Sequence, residues 1–322
     1  MPTAPMNLSP LLLPESGKRN GLISIRRNLQ HNRVMENRDI LTTNKHQVSF
    51  KEIQKSIRVL CFVETCSKNL ARKAQAIKET WAKRCDETIF ISDENNTSFP
   101  TLAPPGVHAG YKALWSKTVS TFRYLHQNYL NDFDWFMKTD DDTYVVVENL
   151  KIFLANHNPD VPHYFGKHYK PYGGYTSGGA GYVLSRQSLI MLESLIQKET
   201  SSKTRRKKCK ATMVNGVEDV LMGNCLAAIG IHPGKAVDED GRDLFSSFPI
   251  SHSIQHRPFP SWYIKFSNDP IVTGVSKKVI SFHYMDPTQI RIMDFLVYDL
   301  SFLQQSKNNS FAIDSYYINR DS

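Results

Sequence analysis

The sequence lacks the signatures of several common protein classes. Its five cysteines, at positions 61, 66, 85, 209 and 225, form no CxxC pair, so a zinc ribbon or a thioredoxin-type site has no support. No run approaches the roughly 18 to 20 consecutive apolar residues of a membrane helix. The apolar run 11–13 before Pro14 is too short for a signal-peptide core. The GK[ST] ending of a P-loop is also absent, which argues against that nucleotide-binding motif.

What is present indicates a folded protein with a basic surface. The 322 residues are 40% hydrophobic and 11% aromatic, enough for one large catalytic domain or two small ones. The formal net charge of +9 suits a polyanionic partner such as nucleic acid, a membrane surface or a diphosphate. Charge alone does not choose among these partners.

Periodicity divides the chain into three parts. Residues 1–55 are polar, basic and aperiodic, which predicts a disordered stem. From residue 56 to about 305, short apolar runs alternate with amphipathic stretches, the pattern of an α/β layer fold. Residues 306–322 are predicted to be a C-terminal tail.

The local patterns predict the main elements. Residues 58–63 read as a buried strand, and Ser67 is expected to cap a helix that follows it. The apolar stripe of that helix is expected to consist of Leu70, Ala74, Ile77 and Trp81. The residues expected to face water are Arg72, Lys73, Lys78 and Lys83. Further strands are predicted at 88–91, 134–138, 164–167 and 279–283. Further helices are predicted at about 111–130, 147–156, 187–196 and 217–228, and after Asp286, where a capping box begins one.

Three consecutive carboxylates, Asp140, Asp141 and Asp142, follow the predicted strand 134–138. Ligands of open α/β sheets bind at this end of the strands. Adjacent carboxylates repel one another, and a bound divalent cation would neutralise this charge. Carboxylate oxygens are also the ligands that such cations prefer. A solvated acidic turn is the alternative. The position after a strand favours a metal site that stabilises a departing nucleoside diphosphate.

Three further features each allow two interpretations. His283 lies in an apolar strand and is either a hydrogen-bonded core residue or a ligand that suits Mn²⁺ better than Mg²⁺. Glu218 and Asp219 begin a helix, where they either complement its dipole or supply a general base. The glycine-rich turn 176–181 serves either a tight turn or the close approach of backbone to a sugar or phosphate.

Aromatic and basic clusters are less specific. Trp262 and Tyr263 are either core residues or a platform on which a sugar ring stacks. The basic stretch 203–210 resembles a nucleic-acid patch, but no aromatic residue interleaves it. We therefore expect a solvated loop and no nucleic-acid partner.

In their order along the chain, several segments resemble one family. Residues 58–61, 76–85, 135–145, 175–184, 218–219 and 281–284 resemble the glycoprotein-N-acetylgalactosamine 3-beta-galactosyltransferase (core 1 synthase) family of inverting β1,3-glycosyltransferases. The resemblance spans about residues 57–300. It implies a GT-A fold, a Rossmann-like domain with a central mixed sheet, that uses UDP-galactose and Mn²⁺. Galactose would pass, with inversion, to the 3-hydroxyl of N-acetylgalactosamine on serine or threonine of a glycoprotein.

The resemblance also implies residue roles. Asp140, Asp142 and His283 would hold the metal, Asp141 would lie near the nucleotide, and Asp219 would be the general base. The positions that match the nucleotide pocket are Glu64, Ala109, Gly110, Tyr111 and Lys117, and those that match the acceptor site are Trp262, Tyr263 and Gly179. Tyr111 stands where the family tends to have an arginine, which would weaken phosphate binding unless Lys112 substitutes.

The resemblance bears on location and on rival functions. It implies disulfides Cys61–Cys85 and Cys209–Cys225, which suit the Golgi lumen and leave Cys66 as an extra thiol. The family's membrane anchor is missing from this chain, so either the gene model is incomplete or the protein is a soluble paralogue; a homodimer stays open. One rival is a fringe-like transferase of other donor or acceptor specificity. Another is a noncatalytic chaperone-like relative, which would not need the aspartates and His283 that this chain keeps.

Overall fold

A computed structural model of the chain describes residues 56–108, 110, 113–201 and 209–300. The predicted stem, the predicted tail, the basic residues 203–208 and the site candidates Ala109 and Tyr111 lie outside these residues. Within the described ranges, no helix combines the length and the apolar composition needed to cross a membrane.

A five-stranded mixed sheet forms the centre of the fold. Its order is β2 (Glu87–Ile91), β1 (Val59–Glu64), β3 (Trp135–Asp140), β8 (Tyr182–Ser185) and β5 (Tyr164–Gly166). β1 pairs with β2 and β3 in parallel, whereas β8 is antiparallel to β3 and β5. The prediction of an α/β fold around a mixed sheet is confirmed.

Apolar residues alternate between the two faces of this sheet. Along β1, Val59, Cys61 and Val63 belong to one buried cluster, and Leu60 and Phe62 belong to the other. Because side chains of a strand point to opposite faces in turn, a continuous apolar run predicts burial on both faces. Helices cover both faces: α3 (Val147–Ala155) and α8 (Pro287–Asp294) contribute to the first cluster, and α2 (Leu114–Tyr129), α4 (Arg186–Ser201) and α5 (Glu218–Ala227) to the second. Two short helices, α6 (Ile250–Ile254) and α7 (Ser261–Phe266), are also present in the described residues.

The helical segment after β1 is irregular. It consists of a 3-10 turn (Ser67–Asn69), a π turn (Leu70–Ala74), α1 (Gln75–Glu79) and a second 3-10 turn (Trp81–Arg84). The predicted apolar stripe is buried as expected. The predicted cap is wrong, because Cys66 occupies the N-cap position without a side-chain cap, and the Ser67 hydroxyl lies 3.1 Å from Asp93 and 2.7 Å from Glu94 as a donor.

Lys73 was expected to face water, and this prediction is also wrong. Its ammonium lies 3.2 Å from Asp141 Oδ1 and 3.0 Å from Asp142 Oδ2. A helical wheel gives the direction of a Cβ, but the four-carbon stem of a lysine lets its charge reach a neighbouring acidic group.

Two small sheets accompany the central sheet in the described residues. One has the order β4 (Tyr144–Val145), β10 (Ser281–Phe282) and β9 (Phe245–Ser246), and the other pairs β6 (His168–Tyr169) with β7 (Tyr175–Thr176). The predicted strand 279–283 is therefore shorter than expected. Its pairing with β4 brings residues 281–285 beside the acidic run, where Met285 N donates to Asp142 O at 2.9 Å.

The predicted disulfides and the cap predicted at Asp286 are confirmed. Both expected disulfides are present, Cys61–Cys85 and Cys209–Cys225, and Cys66 is a free thiol. The capping box of α8 is confirmed, since Asp286 accepts from Thr288 N and Gln289 N while Gln289 accepts from Asp286 N. Beyond α8, a π turn (Phe295–Asp299) follows.

Candidate active site

The carboxyl ends of β1 and β3 form the floor of the site. Glu64 and Asp140 are direct partners in the parallel register, so both strands end at the same level. A turn at Asp141 and Asp142 then leads to β4, which pairs with the strand that precedes His283. Ligand atoms of Asp140, Asp142 and His283 consequently lie within 4.8 Å of one another.

Asp142 and His283 are in direct contact within this cluster. Nε2 of His283 lies 3.2 Å from Oδ1 of Asp142. Burial raises the pKa of Asp142, but His283 and Lys73 outweigh burial and hold it at about 2. The carboxylate is therefore ionised at neutral pH, as a metal ligand must be. Two carboxylates and one imidazole form a donor set that fits Mn²⁺.

Asp141 points to a different neighbourhood. Its Oδ2 accepts from Thr65 Oγ1 at 2.8 Å and from Asn69 Nδ2 at 2.7 Å, and its Oδ1 lies near Lys73. The acidic run thus divides, with two aspartates beside His283 and the middle one bound to the chain that follows β1.

Lys138 supplies a buried positive charge under the cluster. Its side chain is fully buried in β3, contacts the Asp140 carboxylate, and places Nζ 3.5 Å from both Glu64 Oε2 and Glu218 Oε2. The second oxygens of these glutamates accept from Thr118 and Tyr182 at 2.7 Å. Burial raises the pKa of Glu218 to about 8 against the opposing effect of Lys138, and burial likewise raises the pKa of Glu64.

Asp219 lies in the first turn of α5. Its Oδ2 accepts from Gly178 N at 3.2 Å and its Oδ1 from Val220 N at 2.8 Å. Burial raises its pKa, while the two backbone donors act in the opposite direction. A carboxylate whose pKa moves toward the working pH is better suited to accept a proton.

The glycine-rich turn lies between the cluster of Asp140, Asp142 and His283 and Asp219. A Cβ on Gly179 would lie 2.0 to 2.4 Å from ring atoms of His283, and one on Gly178 would lie 2.7 Å from Glu218 Oε2. Real Cβ atoms do not approach so closely, so close packing, and not only turn formation, requires glycine at both positions.

The remaining candidates differ in exposure. Trp262 is 47% exposed, but Tyr263 is 2% exposed and its hydroxyl donates to Asp243 at 2.8 Å. Of these two residues, Trp262 therefore offers the accessible aromatic face. Lys117 is buried and donates to Thr65 O at 2.7 Å, and Gly110 O accepts from Ala113 N at 3.0 Å. Lys117 thus contacts the backbone directly after Glu64, the last residue of β1.

The sequence did not predict four residues that contact the acidic run, namely Thr65, Asn69, Lys73 and Lys138. One signal was available, since a lysine inside the apolar strand 134–138 must find buried counter-charges.

Gly179→Ala is expected to weaken Mn²⁺ binding about tenfold or more, because the methyl group displaces the His283 ring. Electron paramagnetic resonance titration of Mn²⁺ measures this affinity. Gly230→Ala, at a positive φ of 78° in open space, imposes backbone strain without filling the site and should leave Mn²⁺ affinity unchanged. Equal Mn²⁺ affinity in Gly179→Ala and wild type would contradict the assignment of His283.

The chain is similar to several known proteins. The family model described as Fringe-like matches residues 54–237. Glycoprotein-N-acetylgalactosamine 3-beta-galactosyltransferase 1 of Xenopus laevis is 38% identical over 258 residues, which is 78% of this chain and 69% of that protein. Chondroitin sulfate synthase 3 of Mus musculus is 28% identical over 52% of this chain and 20% of its own length. A solved glycosyltransferase involved in the glycosylation of the major capsid of PBCV-1 has a TM-score of 0.42 at 13% identity, covering 74% of this chain and 99% of that one.

Proposed function

The chain belongs to the Fringe-like family of glycosyltransferases, and on that premise we propose that it transfers galactose from UDP-galactose to N-acetylgalactosamine. The acceptor is the 3-hydroxyl of the sugar linked to serine or threonine of a glycoprotein, and the product is a β1,3 linkage. The name and coverage of the Xenopus relative support this choice of donor and acceptor.

One observation carries the proposal. The cluster of Asp140, Asp142 and His283 and the buried carboxylate of Asp219 lie against the same glycine-rich turn. An inverting transfer needs two such groups, one that stabilises the leaving group and one that takes a proton from the attacking hydroxyl.

The cluster residues would hold the cation on one side of this turn. When bound there, a divalent cation, Mn²⁺ in this proposal, supplies Lewis-acid stabilisation of the diphosphate charge. Asp140 and Asp142 provide carboxylate oxygens and His283 provides an imidazole nitrogen. Lys138 keeps Asp140 in place from beneath, and the absence of a side chain at Gly179 leaves room for the His283 ring.

Asp219 acts as the base. Its carboxylate takes the proton of the acceptor 3-hydroxyl, whose oxygen attacks the anomeric carbon while the bond to UDP breaks. The anomeric centre inverts because attack and departure occur on opposite faces. The backbone donors Gly178 N and Val220 N fix both carboxylate oxygens and leave lone pairs for the proton.

The other assignments complete the binding site. We assign the nucleotide to the region of Glu64, Asp141, Gly110 and Lys117, together with Ala109 and Tyr111 outside the described residues. The exposed face of Trp262 is suited to stack on the acceptor sugar, with Gly179 nearby in the proposed pocket. Tyr263 belongs to this region as a buried support of that surface.

The proposal places the protein in the Golgi lumen. Disulfides persist in the secretory pathway and are rare in the cytosol, and this domain contains two of them. Its partners there are a UDP-sugar and glycoproteins that carry O-linked N-acetylgalactosamine.

A donor screen tests the proposed function. The purified full chain is incubated with Mn²⁺, benzyl N-acetylgalactosamine and, in turn, UDP-galactose, UDP-N-acetylglucosamine and UDP-glucose. We expect transfer from UDP-galactose and a β1,3 linkage by nuclear magnetic resonance. Preferential transfer from another donor would favour the fringe-like alternative. A folded chain that binds UDP and transfers no sugar would favour the chaperone-like alternative.

A further inference from the structure

Lys73 is a partly exposed cation at the acidic site that no step of the mechanism above uses. Its Nζ lies 3.0 Å from Asp142 Oδ2 and 3.2 Å from Asp141 Oδ1, and a third of its side chain is exposed. The ammonium thus lies between Asp142, one of the proposed metal ligands, and Asp141, which binds the chain after β1. This placement distinguishes it from Lys138, which is fully buried.

Both aspartates have other partners that already hold them. Asp141 accepts from Thr65 and Asn69, and Asp142 lies against His283 through its other oxygen. Lys73 is therefore not needed to satisfy either carboxylate. An ammonium has three N–H donors, so the two carboxylates do not exhaust its capacity.

The backbone of Lys73 is well anchored although its charge lies at the surface of the site. Leu70 and Ala74, the ends of the same π turn, are both buried in the core cluster. The flexible stem of Lys73 can consequently move its ammonium between neighbouring acceptors while its Cα stays fixed.

The negative charge of the site would be offset by a cation on its exposed side. Asp140, Asp141 and Asp142 repel the diphosphate of a nucleotide sugar, and a divalent metal bound to two of them offsets only part of that repulsion. We propose that Lys73 binds the diphosphate of the donor directly and stabilises the negative charge on the departing UDP. This inference rests on the proposed function, because it assigns a further residue to the leaving-group side of the same reaction.

The test compares Lys73→Met with wild type by calorimetry in the presence of Mn²⁺. The ligands are UDP, UMP and uridine, which share the base and ribose and differ in phosphate. Loss of a charged hydrogen bond predicts about 10- to 100-fold weaker UDP binding, a smaller loss for UMP and no change for uridine. Lys73→Arg should recover most of the UDP affinity. Lys83→Met, which removes an exposed lysine from the same helical segment, is the matched control and should bind UDP like wild type.

Three results would overturn the inference. UDP affinity in Lys73→Met within twofold of wild type would exclude a phosphate contact. Equal losses for UDP and uridine would indicate a general structural role. Weaker Mn²⁺ binding by Lys73→Met without nucleotide would assign the residue to support of the metal site, since removal of a competing cation should leave that affinity equal or higher. If wild type transfers galactose while Lys73→Met binds UDP normally, only this inference fails; if wild type binds no UDP, the proposed function fails with it.

Discussion

Asp219→Asn is expected to reduce galactose transfer by about 10²- to 10⁴-fold while UDP and Mn²⁺ binding stay close to wild type. The amide keeps the shape of the carboxylate and can still accept from a backbone N–H through its oxygen. It cannot take a proton from the acceptor hydroxyl. Because the Asp219 carboxylate is held by the backbone N–H groups of Gly178 and Val220 and not by the proposed metal ligands, its effect should fall on turnover. Initial rates at saturating donor and acceptor measure this loss, and calorimetry measures UDP affinity.

A carboxylate far from the site provides the control. Asp132→Asn changes an exposed residue in the turn before β3, at the opposite end of that strand, and should leave both rate and affinity unchanged. If Asp219→Asn transferred galactose at the wild-type rate, Asp219 would not be the base. Loss of UDP binding in that variant would give Asp219 a structural role instead.

Lys138→Met is expected to lower the free energy of unfolding by about 3 to 5 kcal/mol, the cost of removing one partner from a buried ionic group. Methionine matches the length of the stem but leaves Glu64, Asp140 and Glu218 without the cation that lies between them. Urea denaturation followed by circular dichroism measures the loss. The same change should weaken Mn²⁺ binding, because the fully buried Lys138 fixes the position of the Asp140 carboxylate, whereas Asp142 beside Lys73 is also held by His283.

Repulsion among the carboxylates of Lys138→Met can be relieved by a second substitution or by protonation at lower pH. Adding Glu64→Gln to Lys138→Met should restore part of the stability, since one of the unpaired charges disappears. Burial already raises the folded-state pKa values of Glu64 and Glu218; loss of Lys138, which lowers both, moves them further above their unfolded values. The variant is then most stable when they are protonated and loses stability as the pH rises through those folded-state values. A loss below 1 kcal/mol at neutral pH would contradict the role assigned to Lys138.

Much of this arrangement could be predicted from local sequence. The apolar run of β1 and the strand that ends at Asp140 are short, strongly patterned segments, so their position and type were clear. The helix start at Asp286 depends only on residues close to it in sequence, so it could be predicted equally well. The cysteine pairing and the grouping of His283 with Asp140 and Asp142 came from the ordered resemblance to a family.

Long-range contacts were less predictable. Lys73 lies on the polar side of a helical wheel, and only the folded position of Asp141 and Asp142 draws its ammonium inward. The counter-charges of Lys138 come from the separate elements β1 and α5, whose proximity follows from sheet order and not from spacing. Tyr263 and Trp262 are neighbours in sequence on α7, and packing of that helix, not composition, buries one and exposes the other. The two-residue strand β9 is too short to leave a periodic pattern.

The central claim is that Asp140, Asp142 and His283 hold the divalent cation that galactose transfer requires. The most direct measurement is the rate of transfer from UDP-galactose to benzyl N-acetylgalactosamine by wild type and Asp142→Ala, each with Mn²⁺ and after chelation with EDTA. We predict that EDTA abolishes wild-type transfer, that added Mn²⁺ restores it, and that Asp142→Ala is slower by about 100-fold or more even with Mn²⁺. Transfer that survives EDTA, or an undiminished rate in Asp142→Ala, would contradict the claim.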